Sequence, residues 1–526
     1  METVESETAR RPRASVAQNA GVISLAVMAS RVLGLVRDQV FAVLFGAGLQ
    51  YDAFLTAFRI PNLLRDLFAE GALSAAFVTT FTQTLQSQGK QAAIRLWNRV
   101  ATLIVLLIAA VSLLGWLYAP AIVDRLAPGF AAVPGKAPLT VELTRIMIPY
   151  LLIVALAAQA MGMLNAFNIF GVPALASAFF NVGSILGGLL LGYGLAPFLG
   201  LTPIVGMAYG TLVGGFLQFA VQWPSLCRCG VSYAPALSLS DPGVRQIFRL
   251  MGPAIIDPAS GAVANGPVSW LSYAFRFMQF PIGVFGVAIA TATLPPLSRS
   301  TANADTAEFR RTLGHSLALV FLLCIPSALG LAVLGRPIVA LVFEHGKFTS
   351  LDTIQTANAL AAYAVGLAGY AAVKVLSPAF YALNDARTPM LISLASIVVN
   401  YAMNSLLVGP FGHVGLAFST STVALINFLL LAIFMRRKLK RLGGRRVAAT
   451  VAKIFAASLA MAGVAWLVNA LAGQLPLRGL GLNLARVALA IAAASATFYF
   501  ACRRLRVEEL AEAVEAVAGR LLRAFR

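Results

Sequence analysis

Apolar runs near or above 20 residues, set apart by short polar segments, dominate this chain. About 20 residues of helix cross a bilayer. Ile146 to Cys227 holds no Asp, Glu, Lys or Arg in 82 residues, so it has room for three crossing helices. Breaks at Gly171-Val172-Pro173 and Leu201-Thr202-Pro203 divide it. The same pattern predicts helices near residues 19–45, 53–84, 98–120, 269–297, 313–335, 355–383, 390–409, 414–435, 453–473 and 484–502, thirteen clear spans with the three above.

Loop charge orients these spans, because cytoplasmic loops are enriched in Lys and Arg. The basic segments are the N-terminus, Lys90/Arg95/Arg99, Arg228/Arg245/Arg249, Arg299/Arg310/Arg311, the seven cations from Arg436 to Arg446, and the C-terminal tail. Neighbouring cytoplasmic segments must enclose an even number of crossings. A seventh crossing is therefore expected within Leu250 to Pro267, a short stretch with three prolines and an Asp. The expectation is an all-α integral membrane protein of about fourteen helices with both termini cytoplasmic. Its parts are a tail at 1–17, a first lobe at 18–230, a second at 240–440, two further helices at 447–502 and a tail at 503–526. In that last tail Leu510, Val514, Val517 and Leu521 recur at helical spacing, as in a surface-lying amphipathic helix or a solvated one.

Composition agrees: 59% apolar against 11% charged excludes a soluble globular enzyme. The net charge of +20 would suggest nucleic acid in a soluble protein, but cations gathered in short loops between apolar runs exclude that partner. Four scattered cysteines imply neither a disulfide framework nor a metal site. The arginines within the first apolar run argue against a cleaved signal peptide. No Walker loop, metal-ligand spacing or nucleophile elbow is present. His315, His345 and His413 are isolated in sequence, which fits structural roles. No catalytic residue, metal or cofactor is expected.

The chain also repeats itself. Val205-Gly206-Met207-Ala208-Tyr209-Gly210-Thr211 recurs as Val414-Gly415-Leu416-Ala417-Phe418-Ser419-Thr420, an offset of 209. Ala166, Asn168 and Pro173 recur as Ala382, Asn384 and Pro389, and Ala57-Phe58-Arg59 as Ala274-Phe275-Arg276, at offsets of 216 and 217. Matches in one order at nearly constant offset indicate two six-helix lobes related by duplication. An even number of spans per lobe makes their axis run along the membrane normal.

Charges inside these spans point to function. Arg31 falls near the middle of the first, where an arginine costs at least about 2.5–3.5 kcal/mol unless it meets water or a partner. Arg37 and Asp38 follow in the same span, Asp52, Arg59, Arg65, Asp66 and Glu70 in the second, and Arg276 in the eighth. Asp52, Arg59 and Asp66 lie seven apart, as do Arg31 and Asp38, so each set shares a helix face. For Asp38, Asp66 and Lys374 a purely structural role, as ion pairs or snorkelling ends, fits equally well. Arg31, Arg37, Arg65 and Arg276 exceed the acids available to neutralise them, and a surplus of guanidinium forks suits phosphate. The expectation is a cavity for an anionic, phosphorylated cargo.

SRVLGLVRD at 30–38, FGAG at 45–48, YDAF at 51–54, FRIPNLLRDLFAEGALSAAFV at 58–78 and LAPGF at 126–130 resemble the MurJ/MviN family of lipid II flippases. So do NAFNIFGVPA at 165–174, FEHGKFT at 343–349, VKVLSPAFYALNDARTP at 373–389 and GLAFST at 415–420. The likeness runs from about residue 18 to 440 and more loosely beyond. It implies a bacterial inner-membrane transporter of the multidrug/oligosaccharidyl-lipid/polysaccharide exporter superfamily. Its cargo would be lipid II, the undecaprenyl-pyrophosphate-linked peptidoglycan precursor, and its further partners membrane lipids and the cell-wall synthesis machinery. On this resemblance the cavity arginines are Arg31, Arg37, Arg65 and Arg276; Ser30, Asp52, Asn62 and Glu70 fall on cavity or motif positions. Asp38 and Lys374 are candidates for gating or ion coupling, and the last two helices form a groove for the lipid tail.

Two departures stand out. Where such proteins carry acids beside the arginine matched by Arg276, this chain has Phe275 and Gln279. Between MGPAI and VSW it lacks roughly a dozen apolar residues, at the same weak seventh span. The resemblance implies alternating access, driven by membrane potential or a coupling ion. A related drug or polysaccharide-lipid exporter and a non-transporting scaffold for cell-wall assembly are the rival readings; a drug exporter handling cations would need net acid where this chain has net base.

Overall fold

The computed structural model describes residues 26, 28–65, 72–167, 169–236, 267–302, 305–383, 385, 387–439, 444–475 and 479–510. Every regular element among them is helical. The chain divides into two compact units, Met1–Asn265 and Gly266–Arg526. The predicted seventh crossing, both tails except residues 503–510, and Asp66, Glu70, Asn168 and Asn384 lie outside the described residues.

In the first unit α1 covers residues 28–45. It is followed by α2 (Leu49–Arg65), α3 (Ala72–Gln88), α4 (Lys90–Leu117), α5 (Ala119–Leu126), α6 (Lys136–Met147), α7 (Tyr150–Ala166), α8 (Gly171–Leu189), α9 (Pro203–Ala220) and α10 (Trp223–Arg228). The second holds α11 (Pro267–Pro281), α12 (Val287–Ala302), α13 (Thr306–Phe343), α14 (Ser350–Ala382), α15 (Arg387–Leu439), α16 (Gly444–Ala472) and α17 (Gly479–Arg504).

The solvent that shapes these units is lipid. Large apolar side chains point outward, with Phe198 86% exposed and Leu190 and Leu406 each 70%, while small residues fill the helix contacts. A Cβ on Gly206 would overlap Gly192, and one on Gly210 would overlap Gly188, so α9 and the extended α8 touch backbone to backbone. Close approach through small residues is how helices associate when lipid is as apolar as they are. The repeated sequence has this role twice. A Cβ on Gly415 would meet Leu407 O, and Ser421 Oγ donates to Ala362 O at 2.8 Å.

Among the described residues nine helical stretches are long and apolar enough to cross a membrane. They contain ten of the predicted spans, because the 53-residue α15 is two helices. Straight, it would extend about 80 Å, yet Lys438 Nζ near its end stands 2.7 Å from Asp385 Oδ2 just before its start. The reversal falls at Gly412 (φ 55°, ψ −135°), in the positive-φ region that favours glycine. Its arms correspond to the predicted helices at 390–409 and 414–435. Of the remaining three predicted spans, the described residues include α1, α2 and α3, and α11 and α12, the segments that carry the unusual charges.

One start differs from expectation. The charge-free run suggested a helix from residue 146, whereas α6 begins at Lys136 and leads into α7 as a span of 31 residues. Its charges are accommodated locally: Lys136 by Asp52, and Arg145 by donation to Trp116 O (3.2 Å) with its guanidinium 4.9 Å from the Trp116 ring. Within the second unit the last two helices pack on α13. Met461 and Ala465 of α16 and Ala490 and Ala494 of α17 share a core with Leu334 of α13.

Candidate functional site

The α1 face carrying Ser30 and Arg37, seven residues apart, is set against α8. Asn181 Nδ2 donates to Ser30 O (3.1 Å) and to Ser177 O in its own helix (3.1 Å). One residue earlier, the Phe180 ring lies 5.7 Å from the Arg37 guanidinium. Arg37 also pairs with Asp38 at 3.2 Å, its side chain 18% exposed and that of Asp38 7%. Beneath Phe180, Tyr150 and then Phe58 continue a chain of rings with centroids 5.6 Å apart at each step, which ties α8 to α7 and α2. Arg37 is thus held by an acid on its own helix and by a ring face on its neighbour while keeping solvent access.

Asp52 has a different setting. It is fully buried, and Lys136 Nζ donates to its Oδ2 at 2.8 Å with both side chains at most 1% exposed. The Lys136 ammonium also sits 4.1 Å from the Phe130 ring centroid. Expected on a polar cavity stripe, Asp52 instead joins α2 to α6 inside the first unit. One repeat further along the same face Arg59 is exposed, so that face passes from sealed packing to open surface within two turns.

Arg31 and Arg65 are half-buried. Asn62, a turn before Arg65, has a buried Oδ1 with no hydrogen-bond partner. In the second unit Arg276 is half-buried on α11 and Gln279 exposed, while Phe275 packs against Tyr363 of α14 with centroids 5.5 Å apart. Lys374 is exposed on α14. In the first unit, then, the structure brings Ser30, Arg37 and Asp38 together around α8 and moves Asp52 into a separate pair. Half-buried guanidinium groups on otherwise apolar helices offer fixed, charge-assisted donors to an anion.

Sequence reasoning missed Lys136, Phe180 and Asn181. Lys136 is the one cation between Arg125 and Arg145, so a buried Asp52 in need of a counter-charge pointed to it. Asn181 is an amide inside the 82-residue run without charge, where an unpaired amide would be costly. The His413 ring lies 4.9 Å from that of Trp270, tilted by 55°, and bonds Gln355 O at 3.2 Å, a packing role. Among the described residues no group of three or more His, Cys, Asp or Glu could hold a metal.

The family described as "Lipid II flippase MurJ" matches residues 41–477. The chain is 37% identical to a lipid II flippase MurJ of Burkholderia cenocepacia, over 78% of this chain and 81% of that protein. It is equally similar, at 37%, to a probable lipid II flippase MurJ of Vibrio cholerae over the same shares. A solved MurJ in an inward closed conformation superposes with a TM-score of 0.74 at 25% identity, covering 92% of this chain and 99% of that one. An inward-facing multidrug resistance transporter of the MATE family matches at TM-score 0.61 and 15% identity, over 81% of this chain and 99% of its own, a likeness of fold alone. This multi-pass membrane chain belongs to the MurJ family, whose members are named as flippases and are transporters, not enzymes.

Proposed function

We propose that this chain moves lipid II from the cytoplasmic to the periplasmic leaflet of a bacterial inner membrane, by alternating access. Arg31, Arg37 and Arg65 of the first unit and Arg276 of the second bind the pyrophosphate, with Ser30 and Asn62 near it. The isoprenoid tail stays in lipid along α16 and α17. The observation that carries this reading is Arg37, a cation within an apolar helix whose guanidinium is oriented by Asp38 and Phe180 yet remains partly exposed. A side chain held solely for packing would be sealed, as Lys136 is. Family membership supplies the cargo, and the excess of arginine over acid matches its diphosphate.

Lobe motion would carry cationic side chains through the membrane field. Membrane potential contributes about 2.3 kcal/mol per charge per 100 mV and is the proposed driving force, alone or with a coupling ion. The test is complementation of a strain depleted of its own flippase. Wild type should restore growth, whereas Arg31→Ala and Arg65→Ala should not, although both reach the membrane at wild-type level. Rescue by both variants would defeat the arginine mechanism.

A further inference from the structure

We infer that the second unit carries a binding site for the phosphodiester headgroup of an anionic phospholipid in the extracytoplasmic leaflet, separate from the cargo arginines. A pocket of about 270 Å³ is lined by Arg336, Pro337 and Ala340 of α13, Glu344 just beyond it, and Asn483 and Arg486 of α17. That is well above the roughly 10–15 Å³ needed to hold one water, enough for a phosphate group. Two guanidinium groups face one carboxylate, a net charge of +1 that one phosphodiester cancels.

Its position follows from the fold. α14 ends at Ala382, and Asp385 just after it pairs with Lys438 beside the basic run 436–446, which marks the cytoplasmic side. The other end of α14, next to Glu344, is therefore the extracytoplasmic one, about 50 Å away along 33 helical residues. Arg336 precedes Phe343 by seven residues and Arg486 follows Gly479 by seven, so each lies about 10 Å in from its helix end. That depth belongs to lipid headgroups and their ester linkages.

Arginines on this side run against the charge distribution of the chain, and the pocket is built to present them. Arg486 is oriented by donation from Nε to Asn469 Oδ1 (3.0 Å). Glu344 accepts from Thr353 Oγ1 at 2.6 Å and forms no ion pair with either arginine among the described residues. The guanidinium groups thus stand beside a carboxylate engaged elsewhere, with Pro337 and Ala340 as an apolar wall. Two forks converging from two helices are what a phosphodiester with two free oxygens accepts. A headgroup there would bridge α13 to α17, the helix that this reading places along the cargo's tail.

The experiment is native mass spectrometry of the full-length protein released from detergent, with phosphatidylglycerol as probe. Phosphatidylcholine and inorganic phosphate serve as separate arms. Wild type should retain one tight phosphatidylglycerol, held more strongly than phosphatidylcholine, with no displacement by inorganic phosphate. Arg336→Gln combined with Arg486→Gln should lower that retention by about tenfold, the loss of charge-assisted hydrogen bonds. Glu344→Gln, which keeps the acceptor for Thr353 but removes the negative charge, should raise it; general loss of structure could not produce that gain. Equal retention in wild type and the double variant would overturn the site, and so would a Glu344→Gln protein that binds more weakly. Inorganic phosphate displacing the lipid would overturn the lipid assignment. Because binding is read without transport, the result is independent of the cargo reading.

Discussion

Two ion pairs of the first unit are built in opposite ways. Lys136 and Asp52 meet at 2.8 Å with at most 1% of either side chain exposed; Arg37 and Asp38 meet at 3.2 Å with the arginine 18% exposed. The sealed pair joins two helices, α2 and α6, so its energy enters the fold. The open pair lies within α1 between consecutive residues, with the Phe180 ring of α8 5.7 Å from its guanidinium. Its effect is to orient a cation that still reaches solvent. A buried charge in a transporter is thus no sign of cargo contact by itself; what distinguishes the two is whether the counter-charge closes the site.

The sealed pair gives the largest expected effect. Asp52→Ala or Lys136→Ala leaves one buried charge without its counter-ion, which costs about 3–5 kcal/mol. Both proteins should show a large fall in melting temperature in detergent and poor accumulation in the membrane. Asp52→Leu combined with Lys136→Met should recover most of the loss, since apolar replacement of both partners is close to neutral. Single variants that melt with wild type would show that the pair is not closed.

Arg37→Ala should do the reverse. Arg37 keeps solvent access although Asp38 is buried, so melting should fall clearly less than for Asp52→Ala while complementation fails. Arg37→Lys keeps the charge but loses the planar fork, and should rescue growth only partly. A fall in melting as large as that of Asp52→Ala would move Arg37 into the structural class.

Asn181→Ala sharpens the contrast at lower energy. It removes the bond to Ser30 O, one of the contacts of α8 with α1 beside that of Phe180 with Arg37, and hydrogen bonds between membrane helices average about 0.6 kcal/mol. A small loss of stability with a larger loss of transport is expected, because the partner it releases is the helix that bears Arg31 and Arg37. Unchanged transport would confine Asn181 to packing.

What sequence could show divides along the same line. Periodicity located the apolar helices, and the matched motifs singled out the candidate arginines, because those signals sit within one helix at a time. The hairpin in α15 was legible from the gap between its two arms. Lys136 was not, since a lone lysine after a loop looks like a snorkelling end until Asp52 is known to be fully buried 84 residues away. Phe180 was equally hidden: it is one of 33 phenylalanines, and only packing of α8 on α1 sets it under a guanidinium. Pairings between distant helices carry no local signal, and here they separate structural charges from the candidate functional ones.

A third ion pair completes the series at its exposed end. Asp385 accepts from Lys438 Nζ at 2.7 Å and from the Thr388 backbone and hydroxyl, so it caps the start of α15 and ties it to its own end. The bond from Lys438, then that from the Thr388 amide, hold its carboxyl down at about 2, against about 3.9 for an unperturbed aspartate. A depressed folded value means that the group stabilises the hairpin fully above about pH 4, and that this contribution is lost as pH falls through about 2. The pair is exposed and screened, so the effect should stay below about 1 kcal/mol and shrink in high salt. Asp385→Asn keeps the cap on Thr388 and removes the charge. Melting temperature followed from pH 5 to pH 2 in low salt should therefore fall less steeply for the variant than for wild type, with the two curves drawing together at the acid end. Parallel curves would mean that Asp385 and Lys438 do not hold the two arms of the hairpin together in solution.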